Sequence, residues 1–243
     1  MRLYDSSLAK ILCAASILLL TGCSGPFSTL DPAGPSAHMV KLLWWGMFWF
    51  SLVVSVVLFV WWWHAMHRDG GDVEQDKAQK ALNKWVWYGG IGLPTFAITL
   101  LLIFGIPYGH RMLPHADPNA VRIEVTAHQW FWRVTYPDTG IELIDDIVIP
   151  VDTPIDFHLS SEDVIHSFWV PRLGGKLDAI PGRTTVLRLQ ADEIDTYRGQ
   201  CAEYCGSAHA FMQFELRAVS QDDFEQWLSD NAVPASTTEV SDD

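Results

Sequence analysis

Two thiols, two imidazoles and a thioether gather in one part of this 243-residue chain. Cys201, Cys205, His209 and Met212 lie in the run Cys201-Ala202-Glu203-Tyr204-Cys205-Gly206-Ser207-Ala208-His209-Ala210-Phe211-Met212, and His166 stands upstream. Soft sulfur ligands select copper, zinc or iron–sulfur clusters, and a His/Cys site with a weak Met ligand marks copper electron-transfer centres. Such a centre uses one cysteine per metal, so two cysteines imply two metals. Neighbouring cysteines in an oxidising compartment are ordinarily a disulfide. A disulfide, however, gives His166, His209 and Met212 nothing to do. A structural zinc ion would use Cys-x3-Cys-x3-His and one further His, but leaves Met212 and Glu203 without a role. Residue types alone leave copper, zinc and disulfide open, with copper using most of the pattern.

The chain that must position these residues is divided by composition. It is 49% hydrophobic with 12 Trp, yet a long acidic segment remains outside the apolar runs. Arg2 and Lys10 precede the apolar stretch Ile11 to Leu20, which is too short to span a bilayer and reads as a signal-peptide core. Leu20-Thr21-Gly22-Cys23 has the pattern of a bacterial lipoprotein cleavage box. Residues 1–22 are therefore expected to be removed, leaving Cys23 as the lipid-bearing N-terminus. Leu42 to Trp63 carries no charge over 22 residues, enough for the ~20 apolar residues of a spanning helix. Trp44, Trp45, Trp49 and Trp61 to Trp63 flank it, as interfacial indoles do. Trp85 to Ile106 is a second such run, whose Pro94 is tolerable within a membrane. Spans are predicted at 42–63 and 85–107. The 64–84 loop between them holds Arg68, Lys77, Lys80 and Lys84, whereas 24–41 offers only Lys41. The loop is thus expected in the cytoplasm, with both mature ends on the periplasmic side of a bacterial plasma membrane.

From Pro107 onward 9 Lys or Arg face 23 Asp or Glu, a balance of −14. That field would repel nucleic acid and anionic lipid and raise the encounter rate with a basic protein, although solubility alone is the reading that charge by itself favours. Short β-branched or alternating segments at Val121–Thr126, Trp130–Thr135, Asp146–Pro150, Ile155–Leu159, Thr184–Leu189 and Phe211–Val219 are separated by Pro and Gly. They predict an all-β Greek-key sandwich over 108–220. Residues 221–243 read as a short closing helix, Asp222 to Ser229, followed by a polar, acidic tail.

The pattern C-x-E-x-C-G-x-x-H-x-x-M, together with Val164-Ile165-His166-Ser167-Phe168-Trp169-Val170-Pro171, resembles subunit II of the haem–copper cytochrome c oxidases. His128-Gln129-Trp130-Phe131-Trp132, the turn Lys176-Leu177-Asp178-Ala179-Ile180-Pro181-Gly182-Arg183 and the two apolar spans extend the resemblance over most of the chain beyond residue 40. It implies a two-helix transmembrane hairpin followed by a cupredoxin-like sandwich. It implies two copper ions, the copper A centre, bridged by Cys201 and Cys205 and bound also by His166, His209, Met212 and the Glu203 carbonyl. By the same resemblance, Trp130 is the residue through which electrons enter, and the Glu203 carboxylate holds a magnesium ion shared with subunit I. Asp163, and more loosely Glu142, Asp145 and Asp146, would face cytochrome c. Asp178 and Arg183 would order their turn and the border with subunit I. The implied activity is that of a proton-translocating terminal oxidase, with dioxygen reduced on subunit I and subunit III as a further partner. The chain has no Cys-x-x-Cys-His site, so it carries no haem and the donor cytochrome is a separate protein.

The resemblance also has rivals and one departure. A quinol oxidase subunit would keep spans and sandwich without the copper ligands, all of which are present here. Nitrous-oxide reductase carries the same motif beside a large catalytic domain for which this chain is too short. A membrane-anchored copper carrier needs neither Trp130 nor an acidic face, and a structural lipoprotein needs only a disulfide. Many relatives place a glutamate near the start of the second span. No acid occurs here between Asp76 and Asp117, and Trp87 occupies that place.

Overall fold

The computed structural model describes residues 24–68 and 74–232. The expected signal peptide, Cys23 and the acidic tail from 233 lie outside the described residues. The described chain forms two compact units, one of residues 42–113 and one that joins the segment up to Lys41 with everything from Pro114 onward.

In the helical unit, α1 (Pro35–Met66) runs beyond the predicted span at both ends. At 1.5 Å per residue its 32 residues reach about 48 Å, more than the ~30 Å of a hydrocarbon core. A short polar helix, α2 (Gln75–Lys84), leads into a π-helical stretch, Trp85–Gly92, and then α3 (Leu93–Arg111). Pro94 accounts for the π-helical turn before it: proline has no N–H to give to the carbonyl four residues back, so the preceding turn widens. Both long helices are apolar enough to cross a membrane. Trp61 and Trp85 meet edge to face at 4.7 Å between ring centres.

The other unit is a sandwich of two five-stranded sheets. The first has the order β3 (Ile141–Ile144), β2 (Phe131–Tyr136), β1 (Val121–His128), β5 (Ile155–Ser161), β8 (Thr185–Leu189). The second runs β4 (Asp146–Pro150), β10 (Gln213–Val219), β9 (Asp195–Cys201), β6 (His166–Trp169), β7 (Leu177–Ala179). The pairs β1–β5 and β4–β10 are parallel and the others antiparallel. Strand alternation puts Ile123, Val125 and Ala127 of β1 and Ile155, Phe157 and Leu159 of β5 inside. Phe168 is the hub of the core, stacked on Phe214 at 4.5 Å and edge-on to Trp132 at 5.4 Å. Gly199 is required opposite Phe214, because a Cβ there would run into the Phe214 ring. A closing helix, α4 (Gln221–Asn231), is N-capped by Ser220, which accepts from the Asp223 N–H at 3.2 Å.

The stretch before α1 is part of the sandwich. Ala33 donates to the Arg172 carbonyl and accepts from the Asp192 N–H, and its side chain is buried. Gly34 lies so close to the Gln190 carbonyl that no side chain fits. Arg172 sits over the Tyr197 ring and donates to the Asp31 carbonyl at 2.9 Å and the Asp195 carboxylate at 2.8 Å.

Asp145, at the corner between β3 and β4, adopts φ 55° and accepts from the Trp132 N–H at 2.7 Å. Burial holds its carboxyl above the ordinary value of 3.8, and the Trp132 hydrogen bond only partly opposes this. A carboxyl raised in the fold favours the folded state below its unfolded pKa, and that favour is lost as pH rises through the folded value. Asp145→Asn keeps the acceptor and suits a positive φ, so the variant is expected to unfold at a higher temperature than the parent at pH 7. The gap should close as pH falls toward 3.8. Thermal scans by near-ultraviolet circular dichroism at the two pH values check this.

Candidate metal centre

Three loop-and-strand elements converge at one end of the second sheet. His166 opens β6 and Cys201 closes β9, and the register that sets Phe168 opposite Cys201 brings them together. The Cys201 N–H donates to the Met212 carbonyl at 2.9 Å, so the turn between β9 and β10 is closed by its own ligand residues. Gly206 takes φ 120°, a conformation that favours glycine. A 3₁₀ turn at His209–Phe211 then carries His209 back toward Cys205.

The five side chains meet. Cys201 and Cys205 are unpaired, with sulfurs 3.8 Å apart, against about 2.05 Å in a disulfide. His166 Nδ1 lies 3.8 Å from the Cys201 sulfur, and His209 Nδ1 lies 3.6 Å from that of Cys205. Met212 Sδ is 3.8 Å from Cys205, and the Glu203 carbonyl 3.2 Å from Cys201. The ligand atoms of His166, Cys201 and Cys205 fall within 4.8 Å of one another, and all three residues are buried, as is Met212. His166 Nε2 faces Asp163 Oδ1 at 2.8 Å, so with its proton there the lone pair of Nδ1 points at sulfur. This is how carboxylates orient metal-binding imidazoles. Burial would lower the His166 pKa, but hydrogen bonds with Cys201 and Asp163 outweigh it and hold the ring above 6.5. Burial also opposes ionisation of both thiols. At Cys201 hydrogen bonds from His166 and the backbone overcome it and bring the pKa to about 6. At Cys205 the neighbouring Cys201 charge adds to it and drives the thiol up to about 12.

The donor set fits copper: two thiolates, two imidazole nitrogens, a thioether and a carbonyl, with the buried Trp132 ring 5.9 Å from that of His166. The other predicted residues lie at varying distance from it. Trp130 is 37% exposed, and its indole N–H donates to the Cys205 carbonyl at 3.2 Å. The Glu203 carboxylate points outward, 4.0 Å from Lys176 Nζ. Asp163 is turned to the site, since it also accepts from the N–H groups of Gln129 and Val164. Asp145 serves the Trp132 backbone, Asp146 is paired with Arg217 at 2.7 Å, and Glu142 is exposed on β3. The sequence reading passed over Gln129, whose carboxamide donates to the Cys205 carbonyl at 2.7 Å. Its only signal was its place beside Trp130.

Comparison with known proteins agrees with this geometry. A family model described as cytochrome c oxidase subunit II, periplasmic domain, matches residues 139–219. The chain is 37% identical over 227 residues to cytochrome c oxidase subunit 2 of Alkalihalophilus pseudofirmus, covering 87% of this chain and 64% of that protein's length. It is 32% identical over 226 residues to ubiquinol oxidase subunit 2 of Acetobacter aceti, covering 88% of this chain and 72% of that one. The solved periplasmic domain of cytochrome oxidase subunit II from Bradyrhizobium japonicum matches 49% of this chain and 96% of its own at 34% identity, with a TM-score of 0.46. On the extent of these sequence matches, the chain belongs to the subunit II family of the haem–copper terminal oxidases.

Proposed function

We propose that this subunit accepts single electrons from cytochrome c at a binuclear copper centre held by Cys201, Cys205, His166, His209, Met212 and the Glu203 carbonyl, and delivers them to haem in subunit I. The observation that carries the reading is the pair of unbridged thiols 3.8 Å apart, each faced by the Nδ1 of a different histidine. Relatives named as quinol oxidases exist at similar identity, but a subunit serving quinol has no use for this buried ligand set. Two copper ions held by Cys201, Cys205, His166, His209 and Met212 would supply a one-electron redox centre that needs little rearrangement of these ligands.

The protein's own groups do the rest. The sandwich fixes the loops so that the ligands need not move. Asp163 fixes the His166 ring, the buried Trp132 beside it keeps water away, and Trp130 lies half-exposed where a donor can approach. The acidic surface raises the encounter rate with a basic cytochrome, and salt should slow it. Glu203 offers a hard carboxylate oxygen to a magnesium ion at the border with subunit I. The spans anchor the subunit with its sandwich on the periplasmic side, and subunit III completes the complex.

The reading is tested by electron paramagnetic resonance with copper analysis on the full chain in detergent. Hyperfine splitting from two equivalent copper nuclei, with two coppers per chain, is expected. A single-nucleus spectrum, or oxidised cysteines without copper, would overturn it. Asp163→Asn replaces one of the two oxygens that accept from His166, Val164 and Gln129 by a donor and so weakens the orientation of His166. Copper affinity should drop about 10- to 100-fold, as read by competition with a chelator.

A further inference from the structure

We propose that Gln129 is a positioning residue that latches the Trp130 indole to the peptide of Cys205 and thereby sets the bonded path from the indole to the sulfur centre. The inference rests on the electron-transfer reading above. Gln129 bonds in two directions: its N–H donates to Asp163 Oδ2 at 2.6 Å, and its Nε2 donates to the Cys205 carbonyl at 2.7 Å. The other Asp163 oxygen, Oδ1, takes His166 Nε2 at 2.8 Å. One residue of the β1–β2 turn is thus tied to the loop of one histidine ligand and to the loop of both cysteines.

The Cys205 carbonyl has two lone pairs, and Gln129 and Trp130 use both. The carboxamide bond is short and the indole bond, at 3.2 Å, is long. Held by Gln129, the carbonyl stays aimed at an indole that is 37% exposed and open to competing water. Glycine at 206, at φ 120°, leaves room for this approach. A Cβ there would lie 3.0 Å from Gln129 Nε2 and 3.1 Å from Trp130 Cζ2. The route from indole N–H through the Cys205 carbonyl, Cα and Cβ to Sγ then contains no gap wider than one hydrogen bond. Electronic coupling decays more slowly along such a route than through empty space. Gln129 therefore governs the rate once a donor is bound rather than the binding of the donor. A plain surface contact would do the reverse.

Gln129→Met keeps the length of the side chain and removes the donor. In the metal-free full chain in detergent, the Trp130 indole proton, assigned by its loss in Trp130→Phe, is expected to exchange with solvent about tenfold faster in this variant, the scale of one hydrogen bond. In the copper-loaded chain, the rate of reduction by a soluble basic c-type cytochrome at saturation should fall by a similar factor. The half-saturating concentration and the copper spectrum should stay as in the parent. An unchanged indole exchange, or a change confined to half-saturation, overturns the latch. If the unsubstituted chain shows no two-nucleus copper spectrum, the copper reading fails instead, and indole exchange in the metal-free chain still decides whether the latch exists.

Discussion

Cys205→Ser is expected to bind at most one copper per chain and to lose the two-nucleus hyperfine pattern altogether. Cys205 is the residue on which the ligand geometry converges: its sulfur lies 3.8 Å from Cys201, 3.6 Å from His209 Nδ1 and 3.8 Å from Met212. Serine offers a hard oxygen with a far higher pKa, which soft copper does not favour. His209 and Met212 then lose the thiolate they share. His166 and Cys201 remain 3.8 Å apart and can still hold one ion. The variant should therefore keep a single-copper spectrum, lose reduction by cytochrome and keep its fold. Copper analysis, resonance spectra and circular dichroism on one preparation check all three. Two coppers with the parent spectrum would refute bridging by Cys205.

The second large effect is on stability. Trp132→Ala removes the largest fully buried side chain of the sandwich, one that touches Phe168 and Phe214 and lies 5.9 Å from the His166 ring. Truncations of this kind cost about 3–5 kcal/mol, against a total domain stability of about 5–15 kcal/mol. The sandwich should unfold in denaturant well before the parent does, and copper should protect it less because the wall behind His166 is gone. Trp132→Phe provides the control. It keeps an aromatic ring in the cluster and deletes an indole N–H that is buried with no partner among the described residues. Its cost should be only about 1 kcal/mol, since the lost cavity term is offset by removal of an unsatisfied donor. Denaturant midpoints of the two variants, followed by near-ultraviolet circular dichroism, separate packing from aromaticity.

Much of this was legible in the residues. The uncharged runs gave the helices, although not the π-helical turn before Pro94, whose cause is a missing donor rather than hydropathy. Strands with β-branched alternation, such as β1, β5 and β8, were found. Those missed were β3, β6, β7 and β9, and two of these carry ligands. Asp195-Thr196-Tyr197-Arg198-Gly199-Gln200-Cys201 has almost no apolar alternation, because Gly199 makes way for the Phe214 ring and the strand ends in a ligand. His166-Ser167-Phe168-Trp169 is buried almost throughout, so a period of two cannot show. The ligand types were visible from spacing, but their orientation was not. Asp163 reads as a surface acid in the sequence, and only the fold turns it onto His166 and Gln129. Asp145 and Asp146 look alike in sequence, yet one holds a backbone corner and the other an arginine.

The packing of Ala33 and Gly34 against the sandwich loops at Arg172–Leu173 and Gln190–Asp192, which follow both long helices in sequence, makes the route of the chain a closed circuit. The polypeptide leaves the sandwich at residue 41 and re-enters it at 114, so any membrane crossed on the way out must be crossed again on the way back. The number of crossings is even whatever the lipid. Two helices long and apolar enough to cross a membrane satisfy that parity.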